Sequence, residues 1–145
     1  MSLVYSTGPM ENAIGPEDTS SATAWTKVLN NHEYKAITAK IKVFRLNGTK
    51  TLIDTARLTV NPLSSAFNVS DVSGAFEFEV QVAVSPTKDA DDVLIGVFGK
   101  DAAGNLNPSH RVVHEELTRI DELTPIDDVA VGAAPQTRPD SQATG

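Results

Sequence analysis

The residues of this chain that could do chemistry are three histidines, a scatter of serines and nineteen acids, and their spacing decides which of them could work together. His110 and His114 stand four apart. On a helix that spacing makes a metal pair, but on a strand four residues span about 13 Å, too far for two rings to share one zinc ion. Serine and histidine are both present, yet the sequence has no Gly-x-Ser-x-Gly elbow and nothing that orders a triad. Glu115 and Glu116 are adjacent, so on a strand they point to opposite faces and cannot act as paired carboxylates. Glu77 and Glu79 do share a face, where an outward glutamate pair is expected to serve solvation. The chain has no cysteine, which removes thiolate metal sites and cysteine catalysis. It has no glycine-rich phosphate loop either. The expectation is therefore a protein that is not an enzyme, with no cofactor and no small-molecule substrate.

One metal reading has a chemical basis. Asp89, Asp91 and Asp92 crowd one loop, Asp101 and Asn105 flank another, and flexible loops of hard oxygen ligands are what Ca²⁺ uses. EF-hand spacing is missing. The competing reading is a solvated loop tip in which Asp101 caps its own turn, and it is preferred, so no metal is expected. Asn47-Gly48-Thr49 and Asn68-Val69-Ser70 match the N-glycosylation pattern, a short motif with many chance matches.

Charge is distributed unevenly. The net charge of −7 divides into −3 over residues 1–22, zero over 23–120 and −4 over 121–145. A neutral body with acidic ends argues against nucleic acid and against anionic membranes as partners. The first residues carry neither a basic region nor an apolar run adequate for a secretory signal, and there is no transmembrane run.

The elements that must hold these residues are strands. Residues 37–60 read as a hairpin folded at Asn47-Gly48, a dipeptide suited to the positive φ of a two-residue turn. That turn pairs Val43 with Leu52, Ile41 with Asp54, Ala39 with Ala56 and Ile37 with Leu58. A bulge near Asp54 and Thr55 is expected to bring Ile53 inward and send the carboxylate out. Phe76, Phe78, Val80, Val82 and Val84 alternate with Glu77, Glu79, Gln81 and Ala83, a period of two with one apolar and one wet face. Further strands are expected over 25–29, 66–72, 93–99 and 111–118, the third of these runs apolar on both faces. Trp25 is the single tryptophan. It is expected to plug the core with its N–H bonded outward, against the alternative of a ligand platform.

About seven short strands with turn signals between them, and no useful helical periodicity, point to an all-β fold: an immunoglobulin-like β-sandwich of antiparallel strands with extended N- and C-terminal arms. The expected division is an arm over 1–22, the sandwich over 23–120 and an acidic, Pro/Ala-rich tail over 121–145. Alone, the N-terminal arm should be disordered, and Pro125 blocks a helix in the tail.

Several stretches together resemble a family. Val93–Leu106 (VLIGVFGKDAAGNL), with His110–Thr118 (HRVVHEELT) after it and Ile41–Lys50 (IKVFRLNGTK) and Phe76–Val82 (FEFEVQV) before it, is similar to small uncharacterised β-sandwich proteins of spore-forming Gram-positive bacteria. The resemblance covers the body, about residues 25–120. Asp101–Asn105 (DAAGN) also resembles the turn of bacterial immunoglobulin-like surface modules. These resemblances imply a component of a cell or spore surface and bring no activity or site residues.

The functional expectation is a structural subunit that forms a homo-oligomer or polymer by strand addition. An open sandwich has edges that accept partners, and this chain carries two ends its core does not need, each with a short apolar patch. Leu3, Val4 and Tyr5 are the first choice for the inserted residues, and Ile126, Val129 and Val131 the second. The alternative is a binding module for a glycan or protein ligand, with calcium at the aspartate-rich loop.

Overall fold

The computed structural model describes residues 1–130; Val131 lies outside them. Four short strands come from the first 22 residues: β1 (Leu3–Ser6), β2 (Met10–Glu11), β3 (Ala13–Ile14) and β4 (Asp18–Thr19). The longer ones follow: β5 (Thr23–Asn30), β6 (Ile37–Arg45), β7 (Thr51–Val60), β8 (Ser64–Asp71), β9 (Glu77–Ser85) and β10 (Val93–Lys100). Two more close the order, β11 (Leu106–Val112) and β12 (Thr118–Ile120). Single 3-10 turns lie at Thr87–Asp92 and His114–Glu116.

The strands form two antiparallel sheets packed as a β-sandwich. One has the order β12-β1-β9-β6-β7, with β2 also on β9; the other is β11-β10-β5-β8; β3 and β4 pair with each other. Residues of period two face inward from each sheet because successive side chains on a strand alternate sides. Ile37, Ala39, Ile41 and Val43 of β6 and Phe78, Val80, Val82 and Val84 of β9 meet Ala24 and Val28 of β5 and Val93, Ile95 and Val97 of β10 in one core. Full burial of each Val, Ile or Phe stabilises by roughly 1.5–3 kcal/mol relative to exposure.

The hairpin forms with a different register from the expected one. Arg45 pairs with Thr51, so the connection runs from Leu46 to Lys50, and Phe44 pairs with Leu52, Ile41 with Ala56 and Ile37 with Val60. The cause lies in Asn47. Its side chain accepts from Phe76 N–H at 2.8 Å and donates to the Gly74 carbonyl at 3.3 Å, so the Asn-Gly pair pins the approach to β9 and does not close a two-residue hairpin turn. A bulge occurs at Ile53, between the Val43–Asp54 and Phe44–Leu52 pairs, and Ile53 packs against the core. Asp54, expected outward, shares the inward-facing row with Ala56 and Leu58. It is satisfied from the opposite sheet by Ser70 Oγ at 2.6 Å and Asn68 Nδ2 at 3.1 Å.

Three other expectations are corrected. The last strand is not one run over 111–118: β11 ends at Val112, and the chain crosses to the other sheet through the 3-10 turn to form β12. The 93–99 strand is covered on one face only, with Leu94 45% exposed on the other. Residues 1–22 are woven into the body. Buried Asn12 donates to the carbonyls of Ser21, Val72 and Ala75 and accepts from Ser21 N–H at 2.7 Å, which ties the loops around it to the sandwich.

Candidate functional site

The outer face of the six-stranded sheet carries the polar face of β9, expected to be wet, together with its neighbours in register. Ser6, Gln81 and Lys42 align across β1, β9 and β6, and Phe44 aligns with Glu79. All five are buried. What buries them is the segment after β12, which lies over this face as a strap.

The strap is held mainly by side chains of the sheet. Lys42, only 3% exposed, donates to the Thr124 carbonyl at 2.9 Å, the Ile126 carbonyl at 2.8 Å and Asp127 Oδ1 at 2.9 Å. Gln81 accepts Thr124 N–H at 2.8 Å and donates through Nε2 to Thr124 Oγ1 at 2.9 Å. Lys50 reaches the same hydroxyl at 2.8 Å and forms an ion pair with Glu79 at 2.7 Å. Glu79 also accepts from Ser6 Oγ at 2.5 Å and Gln81 Nε2 at 2.9 Å. One polar cluster therefore contacts both terminal segments: β1 through Ser6 and the strap through Thr124.

The electrostatics follow from this packing. Burial by itself would raise the Glu79 pKa, but hydrogen bonds from Lys50, Ser6 and Gln81 together with the Lys50 charge hold it below the ordinary carboxylate value. Asp127 is also held low, chiefly by its hydrogen bond from Lys42 and the charge of that lysine.

The first-choice assembly residues sit in β1. Leu3 and Tyr5 face the core and Val4 lies on the outer face, where it is buried. β1 pairs with β9 on one side, Leu3 opposite Val84 through Ser6 opposite Gln81, and with β12 on the other, Val4 opposite Ile120. Of the second choice, Ile126 is half-buried in the strap and Val129 is exposed, while Val131 falls outside the described residues. The structure thus seats Leu3, Val4 and Tyr5 on the body of their own chain, and of the second patch only Ile126 among the described residues is partly covered.

Among the described residues no such strap lies over the outer face of the four-stranded sheet. Trp25 is on this face and not in the core: its ring stacks with Phe67 at 5.2 Å and Phe98 at 6.2 Å, and its N–H bonds Thr23 Oγ1 at 3.0 Å. Lys100 sits 3.9 Å above the Trp25 ring, and Lys27 lies near Phe67 and Phe98. Phe67 is 52% exposed, and Leu29, Val69, Leu94 and Leu106 are also exposed. Stacked rings with lysine ammonium groups over their faces make this an exposed aromatic and cationic face.

The residues considered for catalysis and metal binding go elsewhere. His110 is buried, with Nδ1 2.6 Å from Ser21 Oγ and Nε2 2.6 Å from the Glu11 carbonyl. A backbone carbonyl takes the place a catalytic carboxylate would need, and Ser21 is fully buried, so the pair works as an internal tie. His114 is separate: its Nδ1 accepts Ile95 N–H at 3.1 Å and its ring packs on Tyr5 at 4.9 Å. Asp101 accepts Ala103 and Asn105 N–H at 3.0 and 2.9 Å, as a carboxylate capping its own turn does. Asp89 faces His32 at 3.7 Å. Among the described residues no three acidic or histidine side chains gather as a metal site would require. No helix of the described residues is long and apolar enough to cross a membrane.

Lys42, Lys50, Glu79, Gln81 and Thr124 were not legible as a site. The one signal was that Glu79 and Gln81 share a face, and nothing in the spacing joins residues 42, 81 and 124. No protein-family model matches the chain, and no curated protein is similar to it.

Proposed function

We propose that the chain is a non-enzymatic structural subunit of a surface appendage or filament, an immunoglobulin-like sandwich that joins copies of itself by exchange of β1. The observation that supports this reading is the position of β1, a four-residue strand near the start of the chain with backbone pairing on both flanks. Withdrawing it would open the β9 edge from Gln81 to Val84 and leave β12 without its sheet partner. An identical β1 from a neighbour restores the same hydrogen bonds and the same Ser6–Glu79 contact. Because the neighbour's strand comes from a different surface, the operation is head-to-tail and generates a filament unless it closes into a ring. Thr7 would leave with the strand, since its N–H and its hydroxyl both bond Val80 of β9 at 3.0 Å, and Gly8, at φ +69°, is where the chain would turn out.

The test is to refold the chain over a range of concentrations and measure its mass by light scattering and its form by negative-stain microscopy. Concentration-dependent polymers support exchange, and Val4→Asp, which places a charge at a buried position of β1, should abolish them. A monomer at every concentration, or unchanged polymers from Val4→Asp, overturns the reading.

A second reading is favoured by the exposed aromatic face at Trp25, Phe67 and Phe98: a binding module that uses this sheet face for a protein ligand. It expects a monomer, and Phe67→Ser should leave the fold intact and remove binding.

A further inference from the structure

We infer that the outer face of the six-stranded sheet, at Lys42, Lys50 and Gln81, is a peptide-recognition site for the segment Leu123–Ala130, filled here by the chain's own segment and open to that of a second copy. The inference is independent of whether β1 exchanges.

Three features make this a recognition site and not simple surface packing. An ammonium has three N–H donors and no acceptor, and Lys42 spends its donors on the Thr124 and Ile126 carbonyls and the Asp127 carboxylate. The Gln81 amide reads Thr124 twice, accepting its N–H and donating to its hydroxyl. The strap, in turn, is bound with little ladder of its own. Its backbone bonds are Ile126 N–H to the Thr124 carbonyl within the strap, and Ala130 N–H to the Leu52 carbonyl at 2.9 Å. The seat therefore belongs to the body, and the segment is an extended ligand that happens to be tethered. The required chemistry is a hydroxyl residue followed three positions later by a carboxylate, with Pro125 holding the chain out of a helix between them.

The occupant in trans is a second copy because the complementary sequence is the chain's own. Seat and segment come from different parts of the chain, so a neighbour's segment meets the same atoms and the exchange leaves the contacts unchanged. Tethering favours the chain's own segment, and concentration favours the neighbour's.

The test uses full-length variants that keep β1 intact. In the first, Thr124→Ala with Asp127→Ala weakens the segment and leaves the seat. In the second, Lys42→Met with Gln81→Leu removes the seat and leaves the segment. A fluorescent peptide of residues 121–130 should bind the first variant and not the second, with wild type roughly tenfold or more weaker than the first because its own strap competes. A peptide carrying Thr124→Ala and Asp127→Ala should bind the first variant roughly tenfold or more weakly, a comparison that needs no further change in the protein. Mixed, the two variants should form a one-to-one heterodimer by sedimentation that neither forms alone. Failure of the peptide to bind the first variant overturns the site, and peptide binding without a heterodimer overturns the second copy as occupant. Polymers that depend on Val4 but not on these residues would leave β1 exchange standing while removing this inference.

Discussion

Ser6 Oγ donates a 2.5 Å hydrogen bond to Glu79 Oε2, the oxygen that Gln81 Nε2 also reaches. Ser6 belongs to the first strand of the chain and Gln81 holds Thr124 near its other end, so one carboxylate links the seating of the two. A carboxylate that loses one of several donors keeps its charge but loses solvation, at a cost of about 1–3 kcal/mol.

Ser6→Ala should therefore lower stability by about 1–3 kcal/mol in urea denaturation. Amide exchange should accelerate in residues 3–6 and also at Thr124, whose N–H rests on Gln81. Acceleration confined to β1 would show that the cluster does not couple the two segments.

Acid should loosen the strap before the core. The folded-state pKa of Glu79 lies below its ordinary value, so its contribution is fully present above the unfolded carboxylate range near 4.3 and is lost as pH falls through the lower folded value. Asp127 has the same sign, its low pKa set by Lys42 and, further off, Lys40. Exchange at Thr124 and Ala130, followed from pH 6 downward, should rise first below about pH 4.5. Glu79→Gln should flatten that rise.

Histidine 114 acts in a higher pH window. Burial lowers its pKa, with the Glu115 charge opposing in part, and its Nδ1 must stay unprotonated to accept Ile95 N–H. A lowered folded pKa means stability that is complete above the unfolded value near 6.5 and falls as pH drops through the folded value. The melting temperature should fall between pH 7.5 and 5, and His114→Asn, which offers an amide oxygen in place of Nδ1, should fall less over that range.

Gly99 is fixed by its neighbours. A Cβ there would run into Ser21 Oγ and His110 Cβ, both buried and bonded to each other. Gly99→Ala should destabilise by about 1–3 kcal/mol, the usual cost of overpacking, whereas Gly96→Ala, with nothing within 4 Å of its Cβ, should stay within about 0.5 kcal/mol of wild type. Equal effects at the two glycines in thermal denaturation would contradict the placement of the Ser21–His110 tie.

Trp25 offers an optical check on the face it occupies. Half-buried on the outer face with Lys100 over its ring, it should be quenched by acrylamide in the folded protein, and Lys100→Ala should increase that quenching. Emission like that of a shielded core indole, unchanged by Lys100→Ala, would return Trp25 to the interior.

The residues from Phe76 to Val84 show how far the sequence could be followed. Their alternation placed Phe78, Val80, Val82 and Val84 on one face, and these side chains do enter the core. The other face looked wet because Glu77, Glu79 and Gln81 are polar, yet Gln81 is 1% exposed. Periodicity reports which side chains share a face; it does not report what arrives from forty residues away to cover it. The hairpin failed in the same manner: Asn47-Gly48 marks a turn, but the Asn47 side chain was claimed by Gly74 and Phe76, and the register moved with it. Trp25 was misplaced because a large apolar residue is expected inside, and the sequence does not say which face of a sheet has a partner.

By itself the sequence determined an all-β chain and the existence of most long strands, because these depend on local alternation and turn chemistry. Only the tertiary structure decided that the polar face of β9 would become a buried seat, that Lys42 would meet Thr124, and that Trp25, Phe67 and Phe98 would gather on the outer face of the other sheet. Those outcomes depend on hydrogen bonds between residues far apart in the chain, such as Lys42 with Thr124 and Ser6 with Glu79, and no local pattern encodes that pairing.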